Sequence, residues 1–583
     1  MSEIILKGIP AAPGIVIGRA HIFGKEDLDV EKMPINDEQV PLEISRFEDA
    51  LIQTRQEIVA LQRKIAAEMG SEHGEVFDAH LLVLEDRMLI EEVISKVKKE
   101  KVAVDFVFSE VLKQYANVFA RIEDEYLKER ISDINDVGRR ILRNLLGKKR
   151  KSLSDLEDEV VIVAHDLSPS DTAMMHKNKV IGFVTDIGGK TSHTAIMAKS
   201  LEIPAVVGLE IGTEKIKNGD LVIVDGSCGL LIVAPDPETL KRYEAREEKI
   251  KGQSVAFASI RDLPAQTKDG KLVSLAANIE FPEEIQSVLL HGADGVGLYR
   301  TEYFYMNRRD LPTEDEQFEA YKQLANSFGD KPVIVRTMDL GGDKFISQLN
   351  IPKEMSPFMG WRAIRFCLAR PDIFKTQLRA ILRASVHDNL RVMFPMISGI
   401  EELRKAKELL EDCKRELKNE GKYYNEKLEV GAMIEVPSAA LTSDVLSREV
   451  SFFSIGTNDL IQYSLAVDRT NEKIAYLYEP THPAVLRLIK GVIEAGHNSN
   501  IWVGMCGEMC GEPSLALLLL GMGLDEFSMP SASILEIKNV IRSVSLSRAK
   551  EIADEALSLS TGTDVEKFLQ AKLKEILPDI YST

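Results

Sequence analysis

The sequence predicts an α/β chain: a small α/β domain with a helical bundle inserted into it, a helical connector, and then a (β/α)8 barrel. Three observations predict this. Beyond Thr267, about eight short apolar runs alternate with helical stretches over roughly three hundred residues. Upstream, β-branched runs lie on both sides of a long helical stretch. Finally, Asn278, Arg300, Arg336, Asp339, Glu435, Asn458, Asp459, Cys506 and Glu508 fall at the C-terminal ends of the expected barrel strands, where such folds place their active sites.

Residues Ile5 to Phe23, ILKGIPAAPGIVIGRAHIF, are β-rich and punctuated by glycine and proline, so the chain is expected to open on strands. From about Pro41 to Leu146 the pattern turns helical. Ile44, Phe47, Leu51, Ile58, Leu61 and Ile65 keep a heptad-like spacing, and Phe77, Leu81, Leu84 and Met88 repeat it in a second helix. A small antiparallel bundle is expected. From Glu159 short strands return as VVIVAHD, KVIGFVTD and DLVIVDGSCGLLIVAPD, the last shaped as a hairpin around Gly226 to Gly229. A lone N-terminal strand needs partners and finds them only beyond residue 159, so the helical stretch is expected to be an insertion.

Pro237 to Lys251, PETLKRYEAREEKIK, is charged and rich in helix formers, an exposed connector about which two domains can swing. The barrel strands follow as LVSLAANIE, GVGLYRTE, PVIVRTMD, RVMFPMI, EVGAMIEVP, FFSIGTND, WVGMCGE and EFSMP, with helices such as Ile373 to Ala384 and Glu401 to Lys418 between them. The expected domains are 1–23 with 149–234, an insert at 24–148, a linker at 235–262 and the barrel at 263–583.

Composition excludes several classes. Of 583 residues, 44% are hydrophobic and 28% charged, as in a soluble globular protein, and no apolar run is long enough to span a bilayer. The start lacks the basic and apolar stretches of a signal peptide, and the five scattered cysteines fit a reducing compartment, so a cytoplasmic protein is expected. A net charge of -19 argues against nonspecific nucleic-acid binding. An anionic substrate must then be drawn in by local arginines.

The first chemical motif is GGKTSHTAIMAKS, Gly188 to Ser200. It places His193 after a glycine turn at an expected helix start, where a phosphoryl group on the imidazole would meet free backbone N–H groups. A near-neutral imidazole is a competent nucleophile at pH 7.

Extended to GGKTSHTAIMAKSLEIPAVVG, the motif resembles the phosphohistidine segment of Enzyme I of the bacterial phosphotransferase system; pyruvate phosphate dikinase and phosphoenolpyruvate synthase share it more loosely. The resemblance covers essentially the whole chain, through VGLYRTEYFYMNR, VIVRTMDLGGDK, FMGWRAIR, FFSIGTNDLIQYSLAVDR and GMCGEMCGEPSLALLLLGMGLDEFSM. It implies a swivelling phosphohistidine domain that accepts the phosphoryl group of phosphoenolpyruvate on His193, releases pyruvate, and passes the group to a histidine of the carrier HPr or a paralogue. It also implies a homodimer formed through the barrel.

Arg300, Arg336, Arg362 and Arg469, with Lys344 and Asn458, are expected at or just after barrel strand ends, where guanidinium groups can clamp carboxylate and phosphate alike. The resemblance implies that Arg300, Arg336, Asn458 and Arg469 bind phosphoenolpyruvate and that Arg362 stands beside the phosphoryl group in transfer. Glu435 and Asp459 end adjacent strands and suit Mg2+, which the resemblance makes the cofactor. A thiol near neutral pKa is a reasonable acid, and Cys506 resembles the family's proton donor to the enolate carbon. Cys510 gives a C-x3-C spacing, but no further cysteine or histidine pair supports a metal or redox site.

In the insert, the resemblance places HPr docking near His80, Glu85 and Asp86, while Phe77, Leu81 and Leu84 read as bundle interior. Ser168 stands where the family usually has threonine and offers a hydroxyl to the resting imidazole. MSPFMGWRAIR departs from the usual NPFLGWR, which touches Ser356 but leaves Arg362 in place. An ATP-loaded synthase or dikinase needs a glycine-rich nucleotide loop that residues 1–150 lack. A catalytically silent phosphorelay scaffold would not require the intact set of site residues. A regulatory, nitrogen-type branch remains the alternative to sugar uptake, which the absence of a preceding sensory domain favours.

Overall fold

The computed structural model describes residues 3–23, 30–69, 80–81, 83–84, 86–119, 137–147, 156, 158–165, 167, 179–188, 194–195, 198, 202–305, 310–340, 357–469, 471 and 473–581. The chain divides into two compact units, Met1–Lys251 and Gly252–Thr583.

In the first unit, the described residues include one mixed sheet. Its strands are β1 (Ile4–Lys7), β2 (Ile9–Ala12), β3 (Ile15–Phe23), β4 (Val160–Ala164), β5 (Val180–Thr185), β6 (Ala205–Val207), β7 (Leu221–Asp225) and β8 (Leu230–Val233), in the order β1-β8-β7-β3-β4-β5-β6-β2. The N-terminal strands pair with late ones: β1 with β8, β2 with β6, and β3 with both β7 and β4, Arg19 lying opposite Val160. Because β3 and β4 are parallel neighbours, the chain between them leaves the sheet and returns to it as a crossover insertion. Ile162 and Ala164 bury in one apolar cluster, Val161 and Val163 in another. The sheet is thus covered on both faces, which explains its unbroken apolar strand sequences.

The insertion contains helices Val40–Met69, Arg87–Glu100 and Val104–Phe119 and a helical segment at 137–145. They share a core that includes Phe47, Ile58, Val93, Val97, Phe108, Val111 and Ile141. One expected element is corrected here. The spacing through Leu81, Leu84 and Met88 reads as a single helix, yet Asp86 is extended, its carboxylate accepts from the N–H groups of Met88 and Leu89, and Met88 is 76% exposed. A carboxylate that satisfies free N–H groups starts a new helix and interrupts the periodic run. Asp86→Ala is expected to lower the unfolding free energy by about 1 kcal/mol in a urea melt, with Asp86→Asn preserving it.

In the second unit, β9 (Ser274–Ile279), β10 (Gly295–Tyr299), β11 (Val333–Arg336), β12 (Leu390–Phe394), β13 (Glu429–Ile434), β14 (Phe452–Ile455), β15 (Trp502–Met505) and β16 (Glu526–Met529) run parallel and close into a barrel, β16 pairing with β9. Each apolar run expected to be a barrel strand is one. Side chains alternate about the wall: Phe453, Ile455, Val503, Met505, Phe527 and Met529 join the core shared with the outer helices, whereas Leu298, Ile334, Met393, Met433, Phe452 and Cys506 cluster inside. Phe452 stacks on Trp502 with ring centroids 4.6 Å apart. Gly431 admits that ring, since a Cβ there would lie 2.3 Å from it.

Helix Pro513–Met522 is apolar on every side because helix Leu546–Ser558 and helix Gly562–Ile576 cover its outer face. Those two helices are additional to the expected βα units. The charged connector forms one helix, Pro237–Ala258. Among the described residues no helix is long and apolar enough to cross a membrane.

Candidate active site at the barrel mouth

The C-terminal rim collects the polar residues that follow each strand. Arg300 follows β10, Arg336 ends β11, Glu435 follows β13, and Cys506 follows β15. Asn458 and Asp459 lie in the first turn of helix Thr457–Leu465, just after β14. Two expected placements are corrected. Arg362 is not at a strand end: it is the N-cap residue of helix Ala363–Ala369, and Arg469 comes after helix Thr457–Leu465. Arg362 is carried back because the Ala363 N–H donates to the Leu340 carbonyl at 3.2 Å, with Ala363 held at φ 51°. A left-handed alanine is a strained conformation of the kind found around functional sites.

Asp339 organises the arginines. Its carboxylate lies 3.1 Å from Arg336 Nη1 and 2.7 Å from Arg362 Nη2, and Arg362 Nη2 is also 3.5 Å from Asp459 Oδ2. Arg336 Nη2 donates to Glu302 Oε1, which also accepts from the Asp339 N–H at 3.2 Å. Among the described residues the buried Arg336 Nε has no hydrogen-bond partner, a donor available to a ligand. Outside this cluster, Arg300 Nη1 is 3.4 Å from Glu280 and Arg469 Nη1 is 3.2 Å from Glu508. Asn458 is fixed by an exchange with Glu508, donating from Nδ2 at 3.4 Å and accepting the Glu508 N–H on Oδ1 at 3.1 Å. Asp339 feels the field of Arg300, and Asp459 that of Arg469, so these two outer arginines border the same cluster.

The charges fall into two groups. Burial by itself pushes the Asp339 carboxyl up, but Arg336 and Arg362 outweigh it and hold it below the usual carboxylate value. Glu435 has the opposite balance: burial, then the nearby Asp459 and Asp339, push it up to about 8. Asp459 is also raised, first by burial. A buried and a half-buried carboxylate that follow adjacent strands, both raised, are what a hard divalent cation relieves, so the donor set fits Mg2+. Among the described residues no group of three or more histidine, cysteine, aspartate or glutamate side chains is arranged to hold a metal. Burial pushes the Cys506 thiol up to about 11, partly offset by Ser454 and Arg336. The near-neutral thiol expected from the sequence is thus corrected to one that stays protonated at pH 7.

Below the mouth, burial pushes the Glu526 carboxyl up to about 7. A raised carboxyl stabilises the fold below its unfolded value near 4.5 and loses that contribution as pH rises through its folded value. The parent is therefore expected to lose about 3 kcal/mol between pH 4.5 and 7 relative to Glu526→Gln, checked by parallel urea melts.

His193, Ser168, Lys344, Ser356 and Glu85 lie outside the described residues. His80 is buried. Asp86 is exposed and caps a helix. Sequence reading gave no role to Glu302, Asp339, Gln377 or Tyr463. Gln377 sits beneath the site, accepting the Met338 N–H at 2.9 Å and donating to Thr301 Oγ1 at 3.0 Å, while Thr301 donates to the Arg336 carbonyl at 3.1 Å. Tyr463 lies 3.4 Å from Arg362 Nη1.

Convergent arginines beside a pair of acids, on the C-terminal rim of a parallel barrel, define a (β/α)8 enzyme for a small anionic substrate. Three family models match the chain: "PEP-utilising enzyme, N-terminal" over residues 7–130, "PEP-utilising enzyme, mobile domain" over 156–229 and "PEP-utilising enzyme, PEP-binding domain" over 255–546. A phosphoenolpyruvate-protein phosphotransferase of Bacillus sp. (strain S) is 47% identical over 568 residues, 97% of this chain and 98% of that protein. One of Priestia megaterium is 48% identical over 566 residues, again 97% and 98% of the two. A solution structure titled Enzyme I (nEIt) is 50% identical, covering 42% of this chain and 99% of that one, with a TM-score of 0.35. The chain belongs to the PEP-utilising enzymes and, among them, to the phosphoenolpyruvate-protein phosphotransferase family.

Proposed function

We propose that the chain transfers the phosphoryl group of phosphoenolpyruvate to its own His193 and then to a histidine of HPr or a paralogue, releasing pyruvate, as the first step of sugar uptake. The arginine pair held on Asp339, within the field of Glu435 and Asp459, carries this reading. The near full-length relatives named phosphoenolpyruvate-protein phosphotransferase support it.

Arg300, Arg336, Asn458 and Arg469 bind the carboxylate and phosphate of the substrate, and Arg362 faces the phosphoryl group. Glu435 and Asp459 would hold Mg2+, which would supply charge neutralisation at the phosphoryl group. Neutral His193 attacks phosphorus, the bond to the enol oxygen breaks, and the fixed guanidinium groups counter the charge that develops. Cys506, protonated at neutral pH, gives its proton to the methylene carbon of the enolate.

The segments 1–23 and 149–234 then carry phosphohistidine away on the connector toward a carrier docked on residues 24–148. The barrel, 263–583, serves as the dimerisation domain of a cytoplasmic homodimer. Pure protein with phosphoenolpyruvate and Mg2+ is expected to release about one equivalent of pyruvate per chain and stop, then turn over continuously when HPr is added. Continuous pyruvate release without any carrier would refute the proposal.

A further inference from the structure

Arg336 stands where the strand ladder gives out, and a buried polar chain that the steps above do not use takes over there. β10 is registered against β11 as far as Tyr299 opposite Val335, one residue short of Arg336. On the β12 side the Thr337 N–H still reaches the Met393 carbonyl at 3.0 Å. The rest of this main chain is held by side chains. The Arg336 carbonyl accepts from Thr301 Oγ1 at 3.1 Å, the Met338 N–H donates to Gln377 Oε1 at 2.9 Å, and the Asp339 N–H donates to Glu302 Oε1 at 3.2 Å. Gln377 joins two of these anchors, because its Nε2 donates to Thr301 Oγ1 at 3.0 Å.

Gln377 lies on the buried face of helix Pro371–Ala384, with Ile373, Phe374, Leu378 and Ile381, and is 1% exposed. An apolar side chain of similar volume would fill that face as well, whereas an amide there is costly unless it is bonded. Every donor of Gln377 is used. Nε2 also donates to Tyr321 Oη at 3.2 Å, and the Tyr321 hydroxyl donates onward to Gln317 Oε1 at 3.1 Å. Thr301, Tyr321 and Gln317 are all buried. The directions are forced: the Met338 N–H can only donate, so Oε1 faces it and Nε2 faces the two hydroxyls, and Thr301, having accepted, gives its own hydrogen to the Arg336 carbonyl.

We propose that Gln377 is a positioning residue for the substrate. It holds the main chain after β11 at two points, directly at Met338 and through Thr301 at Arg336. Arg336 and Asp339 spring from that stretch, and Asp339 in turn carries Arg362, so the aim of both guanidinium groups follows from it. Gln377 acts through these residues and not on the substrate itself.

The proposal rests on Arg336 binding phosphoenolpyruvate, and steady-state kinetics with HPr in excess test both. Gln377→Met, which keeps the bulk, and Thr301→Val, which keeps the shape, are each expected to raise KM for phosphoenolpyruvate. Their kcat/KM is expected to fall by about ten- to a hundredfold, as a misplacement of about 1 Å can bring. The double variant should lose little more than the weaker single one, since both break the same chain. Thr301→Ser restores the hydroxyl and should return kcat/KM to within about threefold of the parent. Tyr305→Phe removes a bond of the same core that ends on Gln317, 3.3 Å away, and is expected to leave kcat/KM at the parent value. If Gln377→Met does not fold, the Thr301→Val and Thr301→Ser pair carries the test. An unchanged KM in the variants that fold, a Tyr305→Phe loss as large as theirs, or no rescue by Thr301→Ser overturns the positioning role. If Arg336→Met itself keeps the parent kcat/KM, the assignment of Arg336 to the substrate fails, whatever the other variants do.

Discussion

Arg336→Met is expected to lower kcat/KM for phosphoenolpyruvate by about a thousandfold, since a fixed charge that meets the transferring group supplies roughly 3–4 kcal/mol to the transition state. The site explains why no neighbour substitutes. Among the described residues Arg336 is the arginine that ion-pairs with both Glu302 and Asp339, and its buried Nε has no partner among them. The change also leaves the Glu302 carboxylate without its ion partner, while Asp339 keeps Arg362, and breaking such a pair typically costs about 3 kcal/mol of stability. Activity and stability can be separated. Adding Glu302→Gln removes the stranded charge, so the double variant should recover part of the melting temperature while kcat/KM stays low. Recovery of both together would mean that Arg336 acts only as a structural ion-pair partner.

Glu435→Gln is expected to weaken divalent-cation binding by about a hundredfold, read directly from the electron paramagnetic resonance of Mn2+ displaced by Mg2+. In the metal-free protein the substitution is mild, because burial already pushes the Glu435 carboxyl up to about 8 and the side chain is largely neutral at pH 7. Its Oε1 accepts the Met396 N–H, a bond the glutamine oxygen can keep. Melting without metal should therefore match the parent, and the stabilisation that Mg2+ gives the parent should disappear in the variant. An unchanged Mn2+ affinity would remove Glu435 from the cation site.

The barrel was legible because eight short apolar runs, β9 to β16, alternate with helical stretches, and several are followed by polar residues at the ends where parallel barrels expose side chains. Arg300, Arg336, Glu435 and Cys506 could be placed on that ground alone. Arg362 could not, since its position depends on how the chain after β11 folds back to Leu340, which no local pattern records. Glu302 and Asp339 follow strand-end arginines within three residues, a visible cue, but Glu302 pairs with Arg336 rather than with nearby Arg300, so only three-dimensional proximity identifies the partner. The insert was read too simply because heptad spacing runs across Asp86, whose capping carboxylate starts a new helix in the middle of an apolar pattern. The place of Cys506 at a strand end was legible, whereas the displacement of its thiol to about 11 comes from burial by side chains of several strands.

The central claim is that phosphoenolpyruvate loaded at the barrel mouth is consumed by one imidazole. It is tested most directly by mixing the protein with phosphoenolpyruvate labelled on phosphorus, in the presence of Mg2+, and mapping the label by peptide. The account predicts about one acid-labile, base-stable phosphoryl group per chain on the peptide holding His193, and none in His193→Ala. Comparable acid-labile labelling of His193→Ala would contradict it.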